Sequence, residues 1–304
     1  MPAANNADNG QKQHVKLARR GLSTMVALLF AMPVLLGLIG IILPAVGYFP
    51  ALGKMFLSSE PAKVFLATPG LFTASLLSLK IGLLATFLSL AGSFFLIAVF
   101  FHSKALRWLR QFIGPLVAIP HSTIAIGLVF LLAPSGWIMR LISPGLTGFQ
   151  TPPPWAIIPD PYGLSLVLGL VAKELPFLLL LVLAASATLP IKQLMNVASS
   201  LGYGRTASWF LFLLPMIYRQ LRLPVIAVLI FSLSVVDMAL LLAPSLPPPL
   251  AVLVFYGFND ADLSARLPAS FGALFQIFLA GVGIDRKSTR LNSSHQIISY
   301  AVFC

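Results

Sequence analysis

Six apolar runs govern what this chain can become. They cover about residues 23–46, 71–101, 112–134, 163–189, 223–243 and 267–284. A helix needs roughly 20 residues to cross about 30 Å of hydrocarbon, and each run reaches or approaches that length. A spanning strand would need only about 9–11 residues of alternating polarity. The stretch from Gly163 to Leu189 is apolar nearly all round, so helices are expected, each satisfying its own backbone inside the lipid. The predicted fold is all-α, an integral membrane bundle of six transmembrane helices. Composition closes off the alternatives. Only 9% of residues are charged, against roughly 25% in a soluble domain, and 58% are hydrophobic, which excludes a soluble enzyme and a disordered chain. The one cysteine, Cys304, excludes a disulfide scaffold.

A net charge of +12 on a soluble protein would suggest nucleic acid. Here the cations fall between the apolar runs and read as topology, with membrane lipid as the surroundings and no nucleic-acid partner. With the N-terminus cytoplasmic, the inner segments hold Lys12, Lys16, Arg19, Arg20, Lys104, Arg107, Arg110, Lys192, Arg205, Arg219 and Arg222, and the outer ones Lys54, Lys63, Arg140 and Arg266. Eleven against four fits the positive-inside rule. Residues 1–22 read as a polar cytoplasmic tail, 23–284 as the membrane domain, and the proline-rich 135–162 stretch as an irregular outer connection. The first span is too long for a cleaved secretory signal and is expected to stay as a helix. From Asp285 the sequence turns abruptly polar without helical period, so 285–304 is read as a non-native tail, and no function is placed on His295 or Cys304.

The most informative stretch is the inner loop before the fifth span, LPIKQLMNVASSLGYGRTASWFLFLLPMIYRQLRLP. Ile191 to Ser200 predicts a short helix after Pro190, with Leu194, Ala198 and Leu201 on one face. Gly202 and Gly204 permit a sharp reversal. A second short helix is expected through Trp209, bent or ended at Pro215. Two short helices folded about a glycine make a knob suited to a groove on a soluble partner.

This loop resembles the one in permease subunits of ATP-binding-cassette importers, whose pattern is EAA, three residues, G, nine residues, I, one residue, LP. Asn196-Val197-Ala198 stands at EAA, Gly202 at the glycine, Phe212 at the isoleucine and Leu214-Pro215 at LP, with every spacing kept. Asn196 replaces the glutamate and Val197 the first alanine. Leu175-Pro176-Phe177 is similar to an LPF early in the preceding helix of these permeases, and Ser232 to Val252 to the stretch that follows in the branch serving thiamine, ferric iron and polyamines. The resemblance covers about residues 71–284. It implies the type I importer permease fold, in the bacterial inner membrane, with a cytoplasmic two-helix coupling loop. It also implies a subunit with no cofactor of its own: ATP would be bound by a cytoplasmic ATP-binding subunit dimer. A second permease half or homodimer mate and a periplasmic substrate-binding protein complete the implied assembly. The phosphate-cradling G-x-x-x-x-G-K-[ST] does not occur, since Met55 follows the one Gly-Lys pair, Gly53-Lys54.

Charges inside a span cost about 2.5–3.5 kcal/mol and call for a reason. Lys80, Lys173, Glu174 and Asp237 are such residues. Asp237 is expected in the outer half of the fifth helix, either on the translocation path or as a structural partner of Lys80 or Lys173. Lys173 and Glu174, about 100° apart on a helix, cannot both face one direction: one is expected to reach a neighbouring helix, in a structural ion pair, and the other a cavity or interface, with Glu174 a candidate for the path. His121, after Pro120, marks a kinked third span near the path or a locally bonded histidine. No metal site is expected. Gly82, Ala85, Ser89, Ala91, Gly92 and Ser93 form a small-residue surface for close helix packing. The alternative function is an ion-gradient-driven secondary transporter or channel, which accounts for the intramembrane charges and leaves the inner loop unexplained. An integral membrane enzyme would need a convergent catalytic set, and no His, Asp or Glu pair has that spacing.

Overall fold

A computed structural model describes residues 3–100, 103–154 and 157–281. The 285–304 tail lies outside the described residues. Among those described, six helices are long and apolar enough to cross a bilayer: Thr24–Ala45, Leu71–Phe100, His121–Ile142, Leu164–Ala187, Thr206–Ser234 and Leu263–Gly281. Strand pairing among them is confined to the isolated bridge between Phe49 and Lys54. The chain divides into two compact units.

The first unit comprises residues 1–65 and 260–274. Helix α1 (Ala3–Ala45) carries the first span, and its apolar stretch leaves Leu29 and Phe30 uncovered, as a lipid-facing helix requires. A short helix, α2 (Glu60–Leu66), follows a turn in which Lys54 and Glu60 pair at 3.3 Å. The Phe65 and Phe271 rings meet at 6.0 Å.

The second unit, residues 66–259 and 275 onward, is built on α3 (Leu71–Phe100), α7 (Leu164–Ala187) and α10 (Leu214–Ser234), which pack on one another. The small residues of α3 set this packing. A β-carbon on Gly82 would lie 2.7 Å from Leu233, and one on Gly92 2.8 Å from Leu175, so a larger residue at either would force the helices apart. Ala85 and Ser89 are fully buried on the same face. The opposite faces present Phe72, Phe87 and Phe95, all more than half exposed on the isolated chain. Such surfaces call for hydrocarbon or another protein face to cover them.

Two spans differ from the sequence reading. The third does not run through 112–134. Helix α4 (Lys104–Ala118) ends, and α5 (His121–Leu132) restarts with Pro120 at its N-cap in extended geometry. Proline has no N–H and pushes the preceding residue out of the helical region, so the result is a full break rather than a kink. The span proper is His121–Ile142, completed by α6 (Trp137–Ile142). The fifth span starts earlier and ends sooner than 223–243. It stops at Ser234, where Val235 is extended (ψ 128°), and a single turn, α11 (Ala239–Leu242), follows. The Leu233 carbonyl exposed by this ending accepts from Gln276 Nε2 at 3.2 Å, from the last helix, α13 (266–281). Between them, α12 (Leu250–Phe258) is held to α3 by its first N–H, which donates to Ser78 Oγ at 2.8 Å.

Candidate functional site

The loop between the fourth and fifth spans folds as a knob. Helix α8 spans Ile191–Ser200, the range expected. It closes in a Schellman arrangement: the Gly202 N–H donates to Ser199 O and the Tyr203 N–H to Ala198 O, both at 3.0 Å. Gly202 takes φ +82°, which glycine adopts at little cost. Gly204 does not share this role. It sits before α9 (Arg205–Ser208), where its carbonyl accepts from the Ser208 N–H and Oγ.

The second helix does not stop at Pro215. From α9 the chain winds through a π turn, Trp209–Leu213, straight into α10, with Leu214 and Pro215 opening it. The wider π register lies in the turn before the proline, where the missing N–H would otherwise break an α-helical ladder. Ala198, Trp209 and Leu213 are buried beneath the knob, and Tyr203 meets Phe212 edge-on at 5.3 Å. Leu194 is half-buried, but Leu201 does not join that face. It lies past the helix end and is 66% exposed. Val197, Leu201 and Tyr203 put apolar area on an outward surface that also carries Lys192, Gln193, Asn196, Ser199 and Ser200.

A second candidate site lies inside the bundle. A cavity of about 360 Å³ is lined by Val117, His121, Lys173, Glu174, Phe177, Ala227, Val228 and Phe231. It unites two of the proposed path residues, His121 and Glu174, and adds Lys173. The adjacent residues Lys173 and Glu174 line the same cavity, against the expectation that they face apart, and Lys173 bonds to backbone carbonyls in place of the expected ion pair. Lys173 Nζ donates to the carbonyls of Val117 (2.6 Å) and Ile119 (2.5 Å), the groups left open by the break before Pro120. A cation at a helix C-terminus also meets the negative end of its dipole. Glu174 accepts at Oε1 from Ser232 Oγ at 2.5 Å. Its Oε2 is buried and has no hydrogen-bond partner among the described residues. The His121 ring lies 4.5 Å from that of Phe231.

Asp237 is not in a helix. It occupies the break between α10 and α11, exposed, because the fifth span ends before reaching it. It does not line the cavity, although it and Lys173 both lie within electrostatic reach of His121. Neither lysine takes it as a hydrogen-bonded partner: Lys80 reaches the Tyr162 carbonyl at 3.5 Å and stands over its ring at 5.4 Å. Ser232, Phe177 and Phe231 escaped the sequence reading. Ser232, a hydroxyl in the apolar run two turns after Pro224, was the available signal.

No family model matches the chain. Among curated proteins it is similar to the inner membrane ABC transporter permease protein YnjC of Escherichia coli K12. The two are 32% identical over 164 residues, which make up 54% of this chain and 30% of that protein. The chain thus spans under a third of the length of the relative it matches, and the likeness joins an all-helical, six-span chain to a protein named as a permease.

Proposed function

We propose that the chain is a transmembrane permease subunit of an ATP-driven solute importer in a bacterial inner membrane. The 190–222 segment forms the handle by which a separate ATP-binding subunit moves the bundle. The observation that carries this reading is the knob: a glycine-closed helix pair that exposes Val197, Leu201 and Tyr203 on a polar surface between spans. Asn196, Val197, Ala198, Gly202, Gly204, Leu214 and Pro215 hold the motif positions, and the printed name of the relative agrees with the role. Ala198 and Gly202 shape the knob, and Val197, Leu201 and Tyr203 meet the partner's groove. Without the glutamate of related loops, Asn196 makes the contact neutral, leaving the apolar anchors to dominate.

In this reading the knob faces the cytoplasm together with the N-terminus. ATP is held by the partner dimer and no cofactor by this chain. A second permease half or homodimer mate completes the path, and an external binding protein delivers cargo of the thiamine, ferric iron or polyamine kind. His121 and Glu174 line the path, with Asp237 at its margin. Closure of the ATPase dimer drives rocking of packed helices about this point.

Affinity purification of the chain from its own membranes tests the proposal. A phosphate-loop ATPase and ATP hydrolysis should co-purify, and Val197→Asp should remove both while the permease stays folded. Cargo uptake in vesicles lacking any nucleotide-hydrolysing companion would overturn it.

A further inference from the structure

The contact between Glu174 and Ser232 is one hydrogen short when the acid is ionised. Ser232 Oγ stands 2.5 Å from Glu174 Oε1 and 2.8 Å from the Val228 carbonyl. A hydroxyl has one O–H, and a carboxylate and a carbonyl have none. An ionised Glu174 that accepts from Ser232 therefore leaves the Val228 contact without a hydrogen. With Glu174 protonated both bonds are made: its O–H donates to Ser232, and Ser232 donates to Val228. The surroundings agree. Glu174 is 3% exposed, and its Oε2 has no donor among the described residues, a costlier state for a carboxylate than for a neutral carboxyl. Lys173, next to it on α7, gives its ammonium to the Val117 and Ile119 carbonyls. His121 on α5 is the other titratable group in the cavity wall. Tyr218, Arg219 and Arg222 of α10 lie outside that wall, as does Asp237, and Lys80 of α3 turns to the Tyr162 carbonyl.

We propose that Glu174 is a proton-binding site, a neutral carboxylic acid whose O–H latches α7 to α10 through Ser232. Giving that proton to water leaves the pair one hydrogen short. The hydroxyl must then leave Val228 to reach the carboxylate, and Oε2 becomes an unpartnered ionic acceptor in the helix contact. Release of the proton and separation of α7 from α10 are therefore linked. Helix α10 continues from the knob through the π turn, so the latch sits on the element that a docked ATPase would move. That last step rests on the permease reading above, whereas the protonated acid stands apart from it.

Glu60 and Glu174 are the two glutamates of the chain, and Glu60 is exposed, so Glu60→Gln leaves Glu174 as the single glutamate without touching the bundle. The full-length chain with that change, labelled with δ-carbon-13 glutamate and held in lipid, is read by solid-state NMR. At neutral pH it should give a carboxylic-acid signal, which turns to carboxylate as the pH is raised. Adding Ser232→Ala should move the acid signal, because the acceptor of its hydrogen bond is gone. Thermal unfolding should weaken on the alkaline side in the wild type and more shallowly in Glu174→Gln, whose amide keeps a donor toward Ser232. A carboxylate signal at neutral pH in the folded chain, an acid signal that Ser232→Ala leaves in place, or equal alkaline weakening in Glu174→Gln would each overturn the latch. If Glu174→Gln is not monodisperse, the two NMR readings on the Glu60→Gln chain decide. The permease reading is scored separately by ATPase capture on the wild type and Val197→Asp. A chain that captures the ATPase but shows only carboxylate loses the latch and keeps its role. One that shows the acid but captures no ATPase keeps the latch and loses the role.

Discussion

The knob and the cavity are built from adjoining elements by opposite means. The knob is closed by bonds between residues three and five apart, Gly202 to Ser199 and Tyr203 to Ala198. The cavity is closed by bonds between residues 54 to 58 apart, Lys173 to Val117 and Ile119, and Glu174 to Ser232. The knob exposes Val197, Leu201 and Tyr203 and packs Ala198 over Trp209 and Leu213, while the cavity draws ionisable groups inward and leaves rings at its mouth. A device for docking can be written in one segment, but a device for holding charge within a membrane needs several helices at once. The comparison can therefore be broken from either side.

The largest effect is expected from Ala198→Asp. Ala198 is 3% exposed on the inner side of α8, and a carboxylate there has no partner. The cost should be about 3 kcal/mol, concentrated in the knob. ATPase capture should fall more than a hundredfold while the far-ultraviolet helical signal of the bundle persists. Retained capture would separate the knob from docking. Lys173→Met is the matching cut at the cavity. It keeps the aliphatic stem and removes two charge-assisted bonds to the end of α4, which should cost about 2 kcal/mol in thermal unfolding of the nanodisc-held chain. An unchanged transition would mean that the end of α4 is satisfied by water instead.

These contrasts explain what could be read in advance. The bounds of α8 were legible because Pro190, the helical period and Gly202 all act within one turn. The α3 stripe was legible for a similar reason: Gly82, Ser89 and Gly92 recur at helical spacing, and small residues in a span mean close packing. The ends of spans were not legible. Apolar composition continues through Pro120 and through Val235, so hydropathy ran on where the backbone stops. The partner of Lys173 was hidden too. A charge inside a span suggested an acid on a neighbouring helix, but the carbonyls opened by Pro120 take the ammonium instead. The π turn at Trp209 left no compositional trace beyond the proline that follows it.

Gly202→Ala sharpens the knob side at lower cost. A β-carbon at φ +82° meets no neighbour, so the penalty is conformational alone, about 1.5 kcal/mol. Capture should drop roughly tenfold and recover on cooling. Asp160 gives a comparable control beside the fourth span. Its carboxylate accepts from the N–H groups of Tyr162, Leu164 and Ser165 and opens α7. Burial alone would raise its pKa, but the bonds from Ser165, Leu164 and Tyr162 outweigh burial and hold it below the ordinary value. The stabilisation is therefore full above the usual carboxylate range and disappears as pH falls through the depressed value. Asp160→Asn should cost about 1 kcal/mol at neutral pH. It should also flatten that acid-side loss in a pH series of melting temperatures.

The smallest effect is expected at Asp237, where the sequence had promised the most. Asp237 is exposed in the break after α10 and outside the cavity wall, so Asp237→Asn should change stability by less than about 0.5 kcal/mol. Its field still reaches His121 at the cavity. An exposed charge acting at a distance contributes up to about 1 kcal/mol, and salt screens it. ATPase capture by Asp237→Asn should accordingly stay within about twofold of the wild-type value at low and at high salt. A loss of tenfold or more that persisted in high salt would give Asp237 a contact in the assembly that its exposure on the single chain does not show.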